Sequence, residues 1–208
     1  MNKKRKYYET VILLTLFIIL TVLVVKGSTL MFDEKIFNGL MIIRTSAVTF
    51  IMRIITELAS IIGIAIMLGI TLIYFIKKKK ISDFKFIIIN VLSGVFIMKG
   101  LKEIIQRSRP VWKWITEDGF SYPSGHTICA MLFYGTLIIL VNKNINTKYK
   151  NLIILGLVSM IILTGISRIY FGVHYATDVI SSIILGLVIL LISKEFIYKE
   201  GKDENKSK

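Results

Sequence analysis

Six apolar runs recur along this 208-residue chain: Thr10–Val25, Ile54–Ile76, Phe84–Leu101, Pro123–Val141, Asn151–Ile166 and Val179–Ile197. A helix needs about 20 mostly apolar residues to cross the hydrocarbon of a bilayer, and runs of this kind approach that length. A hydrophobic content of 54% and a mean hydropathy of +0.71 lie above the soluble norm of about 45–50% apolar, so the surplus needs lipid to face. The expected architecture is all-α: an integral membrane bundle of six transmembrane helices with a short interfacial helix after the first span. Residues 1–197 are expected to form this single membrane domain. Residues 198–208 form a charged cytoplasmic tail too poor in apolar side chains to fold alone.

The first run follows Lys3, Lys4, Arg5 and Lys6, as a secretory signal would. Val25-Lys26-Gly27 is a poor small-x-small cleavage site and further spans follow, so an uncleaved first span is expected. Between Gly27 and Phe50, the residues Asp33, Glu34, Lys35 and Arg44 punctuate Met31, Phe32, Ile36, Phe37, Leu40 and Met41 at near-helical spacing, which suits a helix lying at the interface. Arg53 and Glu57, near the start of the second span, can pair or snorkel. Asn90, Ser93 and Gly94 are the small or polar residues of a helix-contact face in the third span. Trp112 and Trp114 read as interfacial belt residues or as the lining of an entrance for a lipid head. The lone Cys129 lies in an apolar run, which excludes an intrachain disulfide and suits core packing.

The net charge of +14 does not point to nucleic acid, because the basic residues cluster between apolar runs rather than along one face. Anionic membrane lipid is the better partner. With the N-terminus inside, the cytoplasmic segments collect 17 of the 27 Lys and Arg residues. Six spans then return both termini to the cytoplasm and place Lys102–His126 and Arg168–Asp178 together on the outer face.

Those two segments hold the chain's candidate chemistry. Ser167–Asp178 sets Arg168, His174 and Asp178 between apolar runs, where an ionisable group facing lipid costs about 2.5–3.5 kcal/mol or more. His174 and Asp178 are four apart and share a face if the segment is helical, so the carboxylate can orient the imidazole as a nucleophile or base. The same cluster could instead staple two helices. Lys102 and Arg109 are two helical turns apart and point the same way if the third helix continues to Pro110. Pro123-Ser124-Gly125-His126 opens the fourth span with proline at a favoured first position. Its free N–H groups and the Ser124 hydroxyl make an anion cradle, which glycine lets a ligand approach closely. Arg168 adds a planar fork of donors suited to phosphate.

Lys102-x6-Arg109-Pro110, Pro123-Ser124-Gly125-His126 and Ser167-Arg168-x5-His174-x3-Asp178 resemble the three signature motifs of the type 2 phosphatidic acid phosphatase superfamily, the metal-independent lipid phosphate phosphatases related to vanadium haloperoxidases. The resemblance covers roughly Phe84–Ile197 by motif. It implies that His174 attacks phosphorus to form a phosphohistidine, that Asp178 orients it, and that His126 protonates the leaving oxygen and later activates water. It further implies that Lys102, Arg109, Ser124, Gly125 and Arg168 hold the phosphoryl oxygens, without a metal or other cofactor. The motif spacing selects Arg109, which leaves Arg107 as an accessory or solvated charge. Substrates of bacterial relatives include undecaprenyl diphosphate, phosphatidylglycerophosphate and phosphatidate. Two rival readings are weaker. A membrane anion or lipid transporter would use the same cations but would not need His174 beside Asp178. A metal hydrolase would have its divalent ion repelled by the surrounding Arg and Lys.

Overall fold

The structure, a computed structural model, describes residues 3–203, with side-chain surroundings for residues 4–194. The described residues form α-helices joined by turns and loops. In order these are α1 (Lys3–Val25), α2 (Leu30–Met41), α3 (Ser46–Leu58), α4 (Ile61–Lys77), α5 (Ile81–Ile105), α6 (Gly125–Asn144), α7 (Lys150–Tyr170) and α8 (Ala176–Asp203). Five of them, α1, α5, α6, α7 and α8, are each long and apolar enough to cross a membrane; α3 and α4 are so only as a pair, and are bent by 60° at their junction, the geometry of a broken sixth span or a re-entrant loop. This is the expected all-α, multi-pass membrane bundle. Helix α8 continues past Ile197 to Asp203, and residues 204–208 of the expected tail lie outside the described residues.

The second span departs from expectation. Ile54–Ile76 is not one helix: the chain breaks at Ala59-Ser60, and the first of the two helices begins earlier, at Ser46. Ser60 adopts extended geometry and its hydroxyl accepts from the Gly63 amide at 3.1 Å, so α4 starts on a fresh N-cap. The bend is tight enough that a Cβ on Gly63 would collide with the Glu57 carbonyl oxygen and lie 2.6 Å from that of Leu58. Helix α2 is the expected short helix after the first span. It packs against α7 and α8 with Phe37 and Asp33 buried, while Met31 and Phe32 stay exposed.

Helix α6 is the hub of the bundle, contacting α5, α7 and α8 and burying Ile128, Ala130, Leu132, Phe133 and Leu140. Cys129 packs at the edge of this core. Gly94 of α5 fits beneath Leu132, as its reading as a contact residue requires. Asn90 is also fully buried but turns back on its own helix, donating to the Phe86 carbonyl at 2.8 Å. Helix α1 sits at the periphery against α8, with most of its apolar side chains left for lipid. This packing brings the C-terminal ends of α5 and α7 and the N-terminal ends of α6 and α8 to one end of the bundle, where the two polar segments meet.

Candidate active site

Helix α5 ends well before Pro110. Gln106 takes a left-handed conformation (φ 50°, ψ 34°) and donates its N–H to the Lys102 carbonyl at 3.0 Å, closing the helix at Ile105. Lys102 therefore stands on the last turn and Arg109 on the following loop, so continuous helical spacing does not align them. They converge because the loop folds back. Lys102 Nζ donates to the Phe120 carbonyl. Arg109 donates to Asp118 O at 2.8 Å, Gly119 O at 3.0 Å and Val173 O at 2.9 Å. These bonds make Arg109 a clamp between the 117–119 loop and the turn that carries His174.

The two tryptophans finish that clamp. Trp112 stacks on Phe37 with ring centroids 5.3 Å apart and meets Tyr175 edge-on at 5.7 Å. The Trp114 amide donates to the Phe171 carbonyl at 2.9 Å, and its ring lies under the Arg44 guanidinium. Gly172 is needed where the loop presses on the turn: its φ is +66°, and a Cβ there would sit 2.8 Å from the Trp112 carbonyl oxygen.

His174 lies in the turn between α7 and α8, not on a helix. It meets Asp178 because Asp178 is the third residue of α8 and its Oδ2 accepts from the Tyr175 amide at 3.0 Å, a capping-box contact made by a short carboxylate. The same oxygen lies 3.5 Å from His174 Nδ1. On the other side of the ring, Nε2 is 3.3 Å from Arg109 Nη1. A guanidinium can only donate, so Nε2 accepts and the proton of a neutral imidazole sits on Nδ1, facing the carboxylate. Burial pushes the His174 pKa down to about 4; Asp178 opposes that shift, while Arg168 and Arg109 add to it. At neutral pH the ring is therefore uncharged, with its Nε2 lone pair turned toward the cations.

Arg168 is buried to 1% exposure, donating to Thr56 Oγ1 and to Glu117 Oε2, each at 2.6 Å, while its Nε has no partner. Thus α3, through Thr56, helps to aim the arginine. His126 is partly buried on the first turn of α6, within electrostatic range of Arg168, Glu117, His174 and Arg109. The expected opening of that helix is shifted by two residues: α6 begins at Gly125, Ser124 is its N-cap, and Pro123 precedes the cap on a cis bond to Tyr122. Ser124 Oγ is fully buried and taken up by the cap, 3.4 Å from the Thr127 amide and 2.9 Å from its hydroxyl. Its oxygen can accept both contacts, which leaves its O–H to donate. The Gly125 and His126 amides are first-turn donors with no intrahelical acceptor. A Cβ on Gly125 would meet only Met98, at an ordinary 3.5 Å, so the protein's own packing does not demand glycine there.

The structure thus gathers Lys102, Arg109, His126, Arg168, His174 and Asp178 at one end of the bundle. At its centre stands a residue that the motifs do not include. Glu117 ion-pairs with Arg168 at 2.6 Å and lies 4.0 Å from Arg109. Burial opposes its ionisation, but the Arg168 guanidinium beside it wins and holds the carboxyl below its ordinary range. Glu117 therefore satisfies the cation cluster as an incoming anion would. Glu117→Gln is expected to tighten inhibition by orthovanadate several-fold, because the anion no longer displaces a carboxylate; an unchanged or weaker inhibition constant would contradict this. Among the described residues, no group of three or more His, Cys, Asp or Glu side chains converges as a metal site would require.

A family model described as the PAP2 superfamily matches residues 84–202, more than half of the chain. The curated phosphatidylglycerophosphatase B of Bacillus subtilis (strain 168) is 28% identical over 195 residues, covering 91% of this chain and 95% of its own. A crystal structure of a transmembrane PAP2-type phosphatidylglycerolphosphate phosphatase from the same species superposes with a TM-score of 0.85 at 29% identity, covering 92% of this chain and 97% of that one. Aquifex aeolicus LpxE shares the fold, with a TM-score of 0.61 at 24% identity over 78% of this chain and 94% of its own. Sequence motif, helix order and the meeting of the two polar segments all agree with that match, and the chain belongs to the PAP2 superfamily.

Proposed function

We propose that this membrane enzyme hydrolyses the phosphate monoester of phosphatidylglycerophosphate through a phosphohistidine on His174. The observation that carries the chemistry is the His174 ring itself, neutral, held between Asp178 and Arg109, with its Nε2 lone pair facing the cations. Nε2 attacks phosphorus as the bond to the lipid oxygen breaks, and His126 delivers a proton to that oxygen. Water, deprotonated by His126, then cleaves the N–P bond and releases inorganic phosphate. Lys102, Arg109, Arg168 and the Gly125 and His126 amides neutralise the phosphoryl oxygens once Glu117 has moved aside, and the Ser124 hydroxyl can donate while its oxygen keeps the cap. Phosphoryl transfer is catalysed mainly by such positioning and charge neutralisation, and fixed cations supply both without a metal ion. The choice of lipid is supported by the Bacillus subtilis relatives, whose activity is given as phosphatidylglycerophosphate phosphatase.

The basic residues on the opposite side of the spans support an outward-facing site with both termini in the cytoplasm. One assay series tests all of this. Purified protein is expected to release phosphate from phosphatidylglycerophosphate with a higher kcat/KM than from phosphatidate or undecaprenyl diphosphate, undiminished in EDTA. A short-chain, impermeant analogue added to intact expressing cells is expected to be hydrolysed. Phosphate release that collapses in chelator and returns with magnesium would overturn the metal-free mechanism. No release from any lipid would favour the transporter reading, and hydrolysis of the analogue only after lysis would turn the site inward.

A further inference from the structure

Arg107, which the motif spacing leaves as an accessory or solvated charge, is neither mobile nor solvated. Its side chain is 9% exposed and its guanidinium lies over the Tyr175 ring, 3.7 Å from the centroid. Nη1 donates to Asp178 Oδ1 at 2.6 Å and to Thr177 Oγ1 at 2.9 Å, and Nη2 donates to Asp33 Oδ2 at 2.8 Å. Asp33, on α2, is itself fully enclosed. Its Oδ1 accepts the Thr177 amide at 2.8 Å and its Oδ2 the Thr177 hydroxyl at 2.9 Å. A guanidinium thus joins two buried carboxylates, one of which faces His174. Buried ionic groups of this kind are costly to desolvate and are a poor way to add stability. Their placement suggests a use in geometry.

We infer that Arg107, braced by Asp33, is a positioning residue that acts on His174 through Asp178, fixing the plane in which the carboxylate meets the imidazole and how much negative charge it presents. This rests on the nucleophilic role proposed for His174. Asp178 can rotate about its terminal bond, and the observed plane of the carboxylate sets one oxygen against both the Tyr175 amide and His174 Nδ1. Arg107 holds the other oxygen in place. Its charge also offsets part of the field that Asp178 casts on the ring.

The groups facing that ring are Asp178 from α8, Arg168 from α7, His126 from α6, Arg109 from the loop and, through Asp178, Lys102 from α5 and Arg107. From α2, Asp33 acts on Arg107. The signs differ for the two brace residues. Without Arg107, Asp178 presents more negative charge, the imidazolium is favoured and the acid limb of kcat/KM moves to higher pH. Without the Asp33 charge, Arg107 offsets Asp178 more strongly and the limb moves to lower pH.

The test compares wild type with Arg107→Gln, Arg107→Lys and Asp33→Asn as purified full-length proteins on one short-chain lipid phosphate, with thermal melting measured alongside. Arg107→Gln is expected to lower kcat roughly 10–100-fold at a nearly constant KM, the loss seen when the outer partner of a metal-bound histidine is removed. Arg107→Lys is expected to recover part of that loss, and the acid limbs of Arg107→Gln and Asp33→Asn are expected to move in opposite directions. Limbs that stay put or move together, with activity following only the folded fraction, would reduce Arg107 to a structural strut. A wild type that releases no phosphate would instead refute the proposed function.

Discussion

His174→Ala is expected to abolish turnover of every phosphate substrate, whatever the leaving group, and to leave no labelled protein. A nucleophile is needed regardless of which oxygen departs. Among the described residues, His174 is the imidazole that sets one nitrogen 3.5 Å from a buried carboxylate and the other 3.3 Å from an arginine donor. The variant should still fold: alanine removes a buried ring, but Arg109 keeps its three carbonyl partners and Asp178 keeps Arg107 and the Tyr175 amide. Detergent-solubilised His174→Ala that melts close to wild type yet hydrolyses nothing is the expected result. Residual steady turnover of an aryl phosphate above the uncatalysed rate would contradict it.

His126→Ala is expected to behave differently because a general acid matters in proportion to the basicity of the oxygen expelled. Its usual contribution is about 10²–10⁴-fold. A lipid monoester, whose alkoxide leaves badly, should lose activity across that range. An aryl phosphate such as p-nitrophenyl phosphate should retain far more of its first step, seen as a burst of nitrophenol. Hydrolysis of the covalent species should then lag, since the imidazole that activates water is gone. A burst in His174→Ala with none in His126→Ala would exchange the two roles.

What could be read from the sequence was what local chemistry reveals. His174, Asp178, Arg168 and Arg109 stand out because ionisable groups between apolar runs are expensive, and the fold does gather them. How they meet is not legible in spacing alone. Lys102 and Arg109 do not share a helix face, because Gln106 closes α5 in a left-handed conformation that a glutamine does not advertise. His174 and Asp178 meet through a turn and a capping contact, which gives the same four-residue spacing as a helix. The bend between α3 and α4 was hidden because a serine cap inside an apolar run barely changes its hydropathy. The partnerships of Thr56, Glu117, Arg107 and Asp33 are invisible in the sequence for a different reason. The partners of Asp33 and Arg107 lie about 70 to 150 residues away, and Thr56 is 112 residues from Arg168. Sequence spacing carries no trace of such pairs.

The most direct test of the account is to trap the covalent species. Wild type and His126→Ala, mixed with a lipid monoester or aryl phosphate labelled in phosphorus and quenched without acid, should both carry label on protein, with more on His126→Ala because its hydrolysis is slowed. The label should be acid-labile and alkali-stable, and peptide mapping should place it on His174 alone. Label absent from both proteins at a time when nitrophenol has been released, or label found on another residue, would contradict attack by His174.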